Sequence, residues 1–290
     1  MTVGPGPLSP HHKRVTAARR LTKRAFRESD RAFLAEGPQA VREALARAAD
    51  APGAVTELFV APDAEQRHGD LLRLAAAAGV PVHRLPADAL AALSGTVTPQ
   101  GLVAVCPFLD VSLASVLVAP PALVVVLVHV RDPGNAGTVV RAADAAGAGA
   151  VVLTDASVDP YNGKCVRASA GSLFHLPLVA GVAVEAAVAQ LRAVGLRVLA
   201  ADGAGDRDLD DELDAGTLRQ PTAWLFGNEA WGLPAEVAAL ADAVVRVPIH
   251  GRAESLNLAA AAAVCLYATA RAQRGSDRGA NAPSQPGANA

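Results

Sequence analysis

The stretch TAWLFGNEAWGLP, residues 222–234, turns from an apolar run into a loop carrying Gly227, Asn228, Glu229 and Gly232. A similar passage stands on each side of it. Upstream, ALVVVLVHV at 122–130 leads into DPGNAGTVVRAADAAGAG at 132–149; downstream, AVVRVPI at 243–249 leads into VPIHGRAESLNLAAA at 247–261. Continuous Val/Leu/Ile runs, rather than strict alternation, fit strands covered on both faces. Further runs at 150–155 and 196–202 alternate with helical patterns at 135–146, 183–193, 234–241 and 257–273. Such alternation predicts an α/β fold with a parallel sheet. In open sheets of this kind ligands sit beyond the carboxyl ends of strands, where these three loops lie.

The first half repeats the alternation on a smaller scale. Apolar runs at 33–37, 57–62, 80–85 and 102–107 are separated by helical patterns at 38–49, 67–78 and 86–93. Pro107 and Pro120–Pro121 bound this half. The expected organisation is therefore a Pro/Gly-rich disordered tail over 1–14, a small α/β domain over 15–107, a linker over 108–121, a larger α/β domain over 122–274 and a disordered tail over 275–290.

The chain has 290 residues, 51% hydrophobic and 19% charged, with a formal charge of −2. That composition excludes a wholly disordered chain, and the length suits two domains. Cys106, Cys165 and Cys265 lie far apart without CxxC spacing, which reads as reduced thiols and a cytoplasmic location. No His/Cys cluster has metal-ligand spacing, so no metal is expected. No apolar stretch reaches the roughly 20 residues of a membrane span, and the N-terminus lacks the apolar core of a secretory signal. Charge is uneven: eight Lys or Arg fall between Met1 and Arg31 against two acids. This basic arm reads either as a phosphate-tracking segment or as a solvated helix face.

Taken one at a time, the loop residues are ambiguous. Asn135 is an N-cap type, Arg141 an ordinary helix-surface residue, and Glu229 suits a helix N-terminus. Ser255 and Asn257 are also capping types. Familiar fingerprints fail. DGAGDRD at 202–208 places Asp208 where a dinucleotide motif needs its third glycine, and no P-loop is present. The acidic stretch DRDLDDELD at 206–214 lacks EF-hand spacing and reads as a solvated loop.

Taken together, the loops resemble a known family. Asn135–Gly137 through Arg141, then Phe226 to Leu233, then Val247 to Ala259 are similar in order and spacing to motifs 1, 2 and 3 of the SpoU/TrmH branch of the SPOUT RNA methyltransferases. The resemblance covers about Val124 to Ala272. Upstream, FLAEGPQAVREAL and TPQGLVAV resemble a substrate-binding domain related to ribosomal protein L30e. The segment DPYNGKCVRASAGSLFHLPLV at 159–179 is especially similar to thiostrepton-resistance-type ribosomal RNA methyltransferases.

The resemblance implies a C-terminal deep trefoil knot, among the rare exceptions to unknotted folding, and an active site completed across a homodimer. It implies S-adenosylmethionine held by main-chain groups around Gly227, Val247, Ile249 and Leu256. It further implies an RNA ribose 2′-O-methyltransferase acting on ribosomal RNA, that of the large subunit first. Asn135, Arg141, Glu229, Ser255 and Asn257 are then the catalytic set, and Arg167, like Arg141, binds RNA phosphate. A guanidinium stays protonated, so Arg141 would stabilise a developing alkoxide and grip phosphate rather than act as a free base. The alternatives are a tRNA 2′-O-methyltransferase and a catalytically silent RNA-binding assembly protein of the same fold. A serine hydrolase built on Ser255 is poor, because no GxSxG elbow surrounds it.

Overall fold

A computed structural model describes residues 6–280, with side chains through Gly275. Two sheets organise the chain. The first holds β1 (Ala32–Glu36), β2 (Glu57–Val60), β3 (Val82–Arg84) and β4 (Leu102–Pro107), in the order β1-β4-β2-β3. It is mixed rather than parallel: β2 and β3 run together, whereas β4 returns between β1 and β2 antiparallel to both.

The second sheet has seven strands: β5 (Leu123–Leu127), β6 (Ala150–Thr154), β7 (Leu178–Val182), β8 (Arg197–Ala201), β9 (Arg207–Asp208), β10 (Thr222–Phe226) and β11 (Ala243–Arg246). Their order is β7-β6-β5-β10-β8-β11-β9, and every pairing is parallel. Phe226 lies opposite both Leu127 and Ala201, so the loops after β5, β10 and β8 leave from one edge.

The apolar runs behave as two-faced strands. Along β5, Leu123, Val125 and Leu127 face one core, while Val124 and Val126 face the other. The first core also takes Trp224 and Phe226 with the helices Pro133–Ala146 and Leu258–Ala280; the second lies against the helix Val184–Ala193. Trp224 Nε1 donates to Thr269 Oγ1 at 2.9 Å, which ties the C-terminal helix to β10. Cys106, Cys165 and Cys265 are buried free thiols. Burial pushes the Cys165 and Cys265 thiols up to about 12 and raises that of Cys106 as well.

Several expectations differ from the fold. The stretch over 1–14 is not a free tail throughout, because Leu8 N–H donates to Arg84 O at 2.8 Å and a helix begins at Lys13. The basic arm folds into two short helices, Lys13–Arg20 and Arg24–Asp30, that bury Val15, Ala18 and Arg27. Arg27 grips Asp159 of the larger unit through Nε (2.8 Å) and Nη2 (2.6 Å). The expected C-terminal tail begins too early: the last helix continues to Ala280, and 281–290 lie outside the described residues. The linker over 108–121 carries structure too, with Asp110 bridged to Leu178 and Leu113 buried.

The acidic stretch 206–214 is also no solvated loop. It contributes β9 and a helix, Leu209–Asp214, on which Glu212 is buried between Arg197 (2.6 Å) and Arg207 (2.8 Å). Burial disfavours the Glu212 carboxylate. Hydrogen bonds from Arg197, Thr217 and Arg207 outweigh that penalty and hold its pKa down at about 2.

Candidate active site

The helix Pro133–Ala146 starts directly after β5. Asp132, not Asn135, is its N-cap: Asp132 Oδ1 accepts the Asn135 amide at 2.8 Å, and Pro133 supplies the favoured first-turn residue. Lys164 Nζ holds the other Asp132 oxygen at 2.8 Å, and this contact keeps the Asp132 carboxyl below the usual carboxylate range. Relieved of capping, the Asn135 side chain faces the neighbouring loops.

Three separated segments meet there. Asn135 Nδ2 donates to Glu229 Oε1 at 3.2 Å, and Asn135 Oδ1 accepts from Asn257 Nδ2 at 3.0 Å. Glu229 also accepts the backbone N–H groups of Arg131 (3.4 Å) and Asp132 (3.3 Å). The loop after β10 thereby places its carboxylate over the start of the β5 helix. Asn257 caps the C-terminal helix as well, through Oδ1 to the Ala259 amide at 2.9 Å.

The loop after β10 is a tight turn. The backbones of Asn228 and Gly232 exchange hydrogen bonds of 2.9 Å in both directions. Gly227 is required by this turn's own backbone: a Cβ there would lie 2.5 Å from Leu233 N and nearer still to the Gly232 carbonyl. The resemblance implies a cofactor at Gly227; the turn's own backbone is a further reason for glycine there. Asn228 is not among the site residues that the resemblance implies. It is buried and ties the turn to β5 by donating from Nδ2 to His129 O at 2.8 Å. His129 adopts a left-handed backbone, φ 51°, that few non-glycine residues take. The signals that could have found these positions are the FGNE run for Asn228 and the Asp-Pro start for Asp132.

Not every expected residue joins the cluster. Arg141 stands on the same helix six residues beyond Asn135, about 240° around it and about 9 Å along it. Arg141 is exposed, and its side chain has no hydrogen bond or ion pair among the described residues. Ser255 and Leu256 are exposed in the irregular segment after β11, as is Ile249, while Val247 is half-buried against the core. Arg167 is paired within the chain. Its Nη1 bonds Glu36 Oε2 at 2.9 Å across the two units, and the same carboxylate accepts from Ser94, Thr96 and Gly95. A buried carboxylate captures a guanidinium more firmly than solvent does, and the spacing of 159–179 carries no trace of Glu36.

The sequence profile of the SpoU rRNA Methylase family matches residues 122–267, and that of RNA 2′-O ribose methyltransferase substrate binding matches 34–111. The 23S rRNA (guanosine(2553)-2′-O)-methyltransferase RlmP of Bacillus subtilis (strain 168) is 35% identical over 262 residues, 89% of this chain and 96% of its own. The crystal structure of an AdoMet-bound rRNA methyltransferase from Sinorhizobium meliloti superposes with a TM-score of 0.75 at 32% identity, covering 91% of this chain and 96% of that one. The SpoU methyltransferase AviRb from Streptomyces viridochromogenes, in complex with AdoMet, gives 0.74 at 31% identity, with 92% and 99% covered. The chain therefore belongs to the SpoU rRNA methylase family.

Proposed function

We propose that the chain transfers a methyl group from S-adenosylmethionine to the ribose 2′-oxygen of a nucleotide in ribosomal RNA, the large-subunit RNA being the substrate. The observation that carries this reading is the Glu229–Asn135–Asn257 cluster, assembled from three distant segments at the carboxyl edge of a parallel sheet.

The residues present fit the cofactor. The peptide groups from Ile249 to Leu256 make no hydrogen bond with another described residue, and Ile249 and Leu256 are 39% and 40% exposed. Free main-chain donors and acceptors beside apolar side chains suit a nucleoside held by Val247, Ile249, Leu256 and the turn at Gly227. When bound, the cofactor supplies an electrophilic methyl on a sulfonium, poised for in-line displacement. The chain's own part is to hold the ribose hydroxyl in line and to accommodate its charge as the proton leaves to phosphate or water. Asn135 presents an amide within reach of Glu229, which orients it; Asn257 fixes the opposite end of that amide, and Ser255 borders the same pocket.

The finer architecture follows from the same reading. β11 is separated from β5 by β8 and β10, yet Asn257 just beyond β11 bonds Asn135 just beyond β5. That return of the 247–257 segment toward the end of β5 supports a deep trefoil knot. On the C-terminal helix, Val264 and Tyr267 are 43% and 55% exposed, a surface that suits pairing with a second copy. In such a homodimer Arg141 of one subunit would serve the cluster of the other. Residues 15–107 act as an L30e-like RNA-binding domain joined through 108–121 to the methyltransferase domain, 122–274, and the protein works in the cytoplasm.

The test is incubation with methyl-labelled S-adenosylmethionine and separated large-subunit rRNA, small-subunit rRNA and tRNA, followed by mapping of the labelled ribose. Label on large-subunit rRNA is expected. Label on tRNA alone, or cofactor binding without transfer to any RNA, would overturn the proposal.

A further inference from the structure

The chain contains two tryptophans with opposite environments. Trp224 is wholly buried in β10. Trp231, seven residues on, is 53% exposed at the tip of the turn that carries Glu229. This turn is held firmly. The two Asn228–Gly232 backbone bonds close its base, Asn228 Oδ1 accepts the Ala230 amide at 2.8 Å, and Asn228 Nδ2 anchors it to β5. Over the Trp231 ring lies the Arg131 guanidinium, its central carbon 5.1 Å from the ring centroid. Arg131 is exposed and has no carboxylate partner among the described residues, although its own backbone N–H bonds Glu229 Oε2. A scattered exposed aromatic needs no explanation. Here a rigid aromatic face, an unneutralised guanidinium and the Glu229 carboxylate are linked within one turn.

We propose that Trp231 and Arg131 form a stacking platform for the unpaired base of the nucleotide whose ribose enters the Asn135–Glu229 cluster. This deepens the methyltransferase reading and rests on it. Single-stranded RNA bases are recognised by stacking on aromatic rings and guanidinium planes. A ribose presented for chemistry at its 2′-oxygen carries its base a few ångströms away, about the scale on which Trp231 follows Glu229. The platform accepts any base by its π-face, and Arg131 adds charge toward the adjoining phosphate. Trp231 then fixes where the sugar lies without touching the reacting oxygen.

The experiment measures the affinity of a fluorescein-labelled single-stranded oligoadenylate and of an abasic RNA backbone of equal length, with S-adenosylmethionine present. For oligoadenylate, Trp231→Ala should weaken binding roughly 5- to 150-fold, the range for loss of one base–aromatic stack. The abasic backbone should change by less than about twofold on the same scale. Trp231→Phe keeps a ring and should bind near the wild-type level, and Arg131→Ala should give a smaller loss while leaving the backbone bond to Glu229. In the wild type, RNA should also quench the fluorescence of exposed Trp231, leaving buried Trp224 as the residual signal.

Equal loss on both RNAs, no loss on either, or dissociation of a dimer by Trp231→Ala would overturn the platform. Failure of the methyltransferase reading is separately visible, as wild-type protein that binds oligoadenylate but labels no RNA.

Discussion

Gly137→Ala offers a quantitative test of how the site is built. In an ordinary exposed helix the change would stabilise by about 1 kcal/mol, because alanine loses less backbone entropy. Gly137, however, lies where the helix Pro133–Ala146 crosses the helix Gly163–Ala168. An added Cβ would sit 2.7 Å from Ala168 Cβ and 3.0 Å from the Ser169 amide nitrogen, and closer still to the Cys165 carbonyl oxygen. Carbon atoms prefer separations of about 3.5–4.0 Å, so the two helices must part by about 1 Å. Backbone atoms cannot swing aside as a side-chain tip could. The cost belongs at or above the upper end of the roughly 1–3 kcal/mol for overpacking, and it exceeds the propensity gain. Less the propensity gain of about 1 kcal/mol, we expect net destabilisation of about 2 kcal/mol or more, and at about 2–4 °C per kcal/mol a fall in Tm of at least roughly 4–8 °C.

The displacement would also reach the chemistry. The moving helices carry Asn135 on one side and Lys164, the partner of Asp132, on the other. Differential scanning calorimetry and the methyl-transfer rate should therefore fall together. Gly203→Ala is the control, since a Cβ there meets nothing within 4 Å, and its Tm should stay within the effect of about 0.5 kcal/mol typical of surface changes. An unchanged or raised Tm in Gly137→Ala would refute the close-crossing argument.

Other perturbations separate structure from chemistry. Arg141→Ala removes an exposed, unpartnered side chain, so thermal unfolding should change by no more than about 0.5 kcal/mol while methyl transfer is lost; full activity would remove Arg141 from the mechanism. Arg27→Ala leaves Asp159 without its buried partner, and denaturant unfolding should show a loss of about 3–5 kcal/mol, whereas a loss below 1 kcal/mol would contradict the pairing. His175 lies between Asp144 (2.8 Å) and Glu43 (3.2 Å). Partial burial opposes its charged form, but hydrogen bonds to these two carboxylates prevail and raise its pKa. That stabilisation is fully present below the ordinary histidine value of about 6.5 and is lost as pH rises through the raised folded value. The Tm difference between wild type and His175→Gln should therefore be largest near pH 6 and disappear in alkali; a difference growing with pH would reverse the assignment. Cys106, Cys165 and Cys265 should resist a thiol reagent in the native protein and react on unfolding, since burial keeps all three protonated; rapid native labelling would contradict their burial.

What could be read from residues alone was set by local periodicity and by short-range motif order. The Val/Leu run at 122–130 and the apolar run at 222–226 declared two-faced parallel strands, because a strand covered on both sides has no polar face to show. The loops after them declared the sheet edge that matters, and FGNE, NxGxxxR and ESLNLA declared the family. Only the tertiary structure decided partnerships between distant charges and polar groups. Nothing near Arg167 announces Glu36, nothing near Arg27 announces Asp159, and the choice of Asp132 over Asn135 as helix cap depends on which side chain another loop claims. Hydrogen bonds and ion pairs act over about 3 Å in space without regard to sequence separation. Their partners are therefore fixed by packing, whereas the elements that carry them are fixed by the local pattern of the chain.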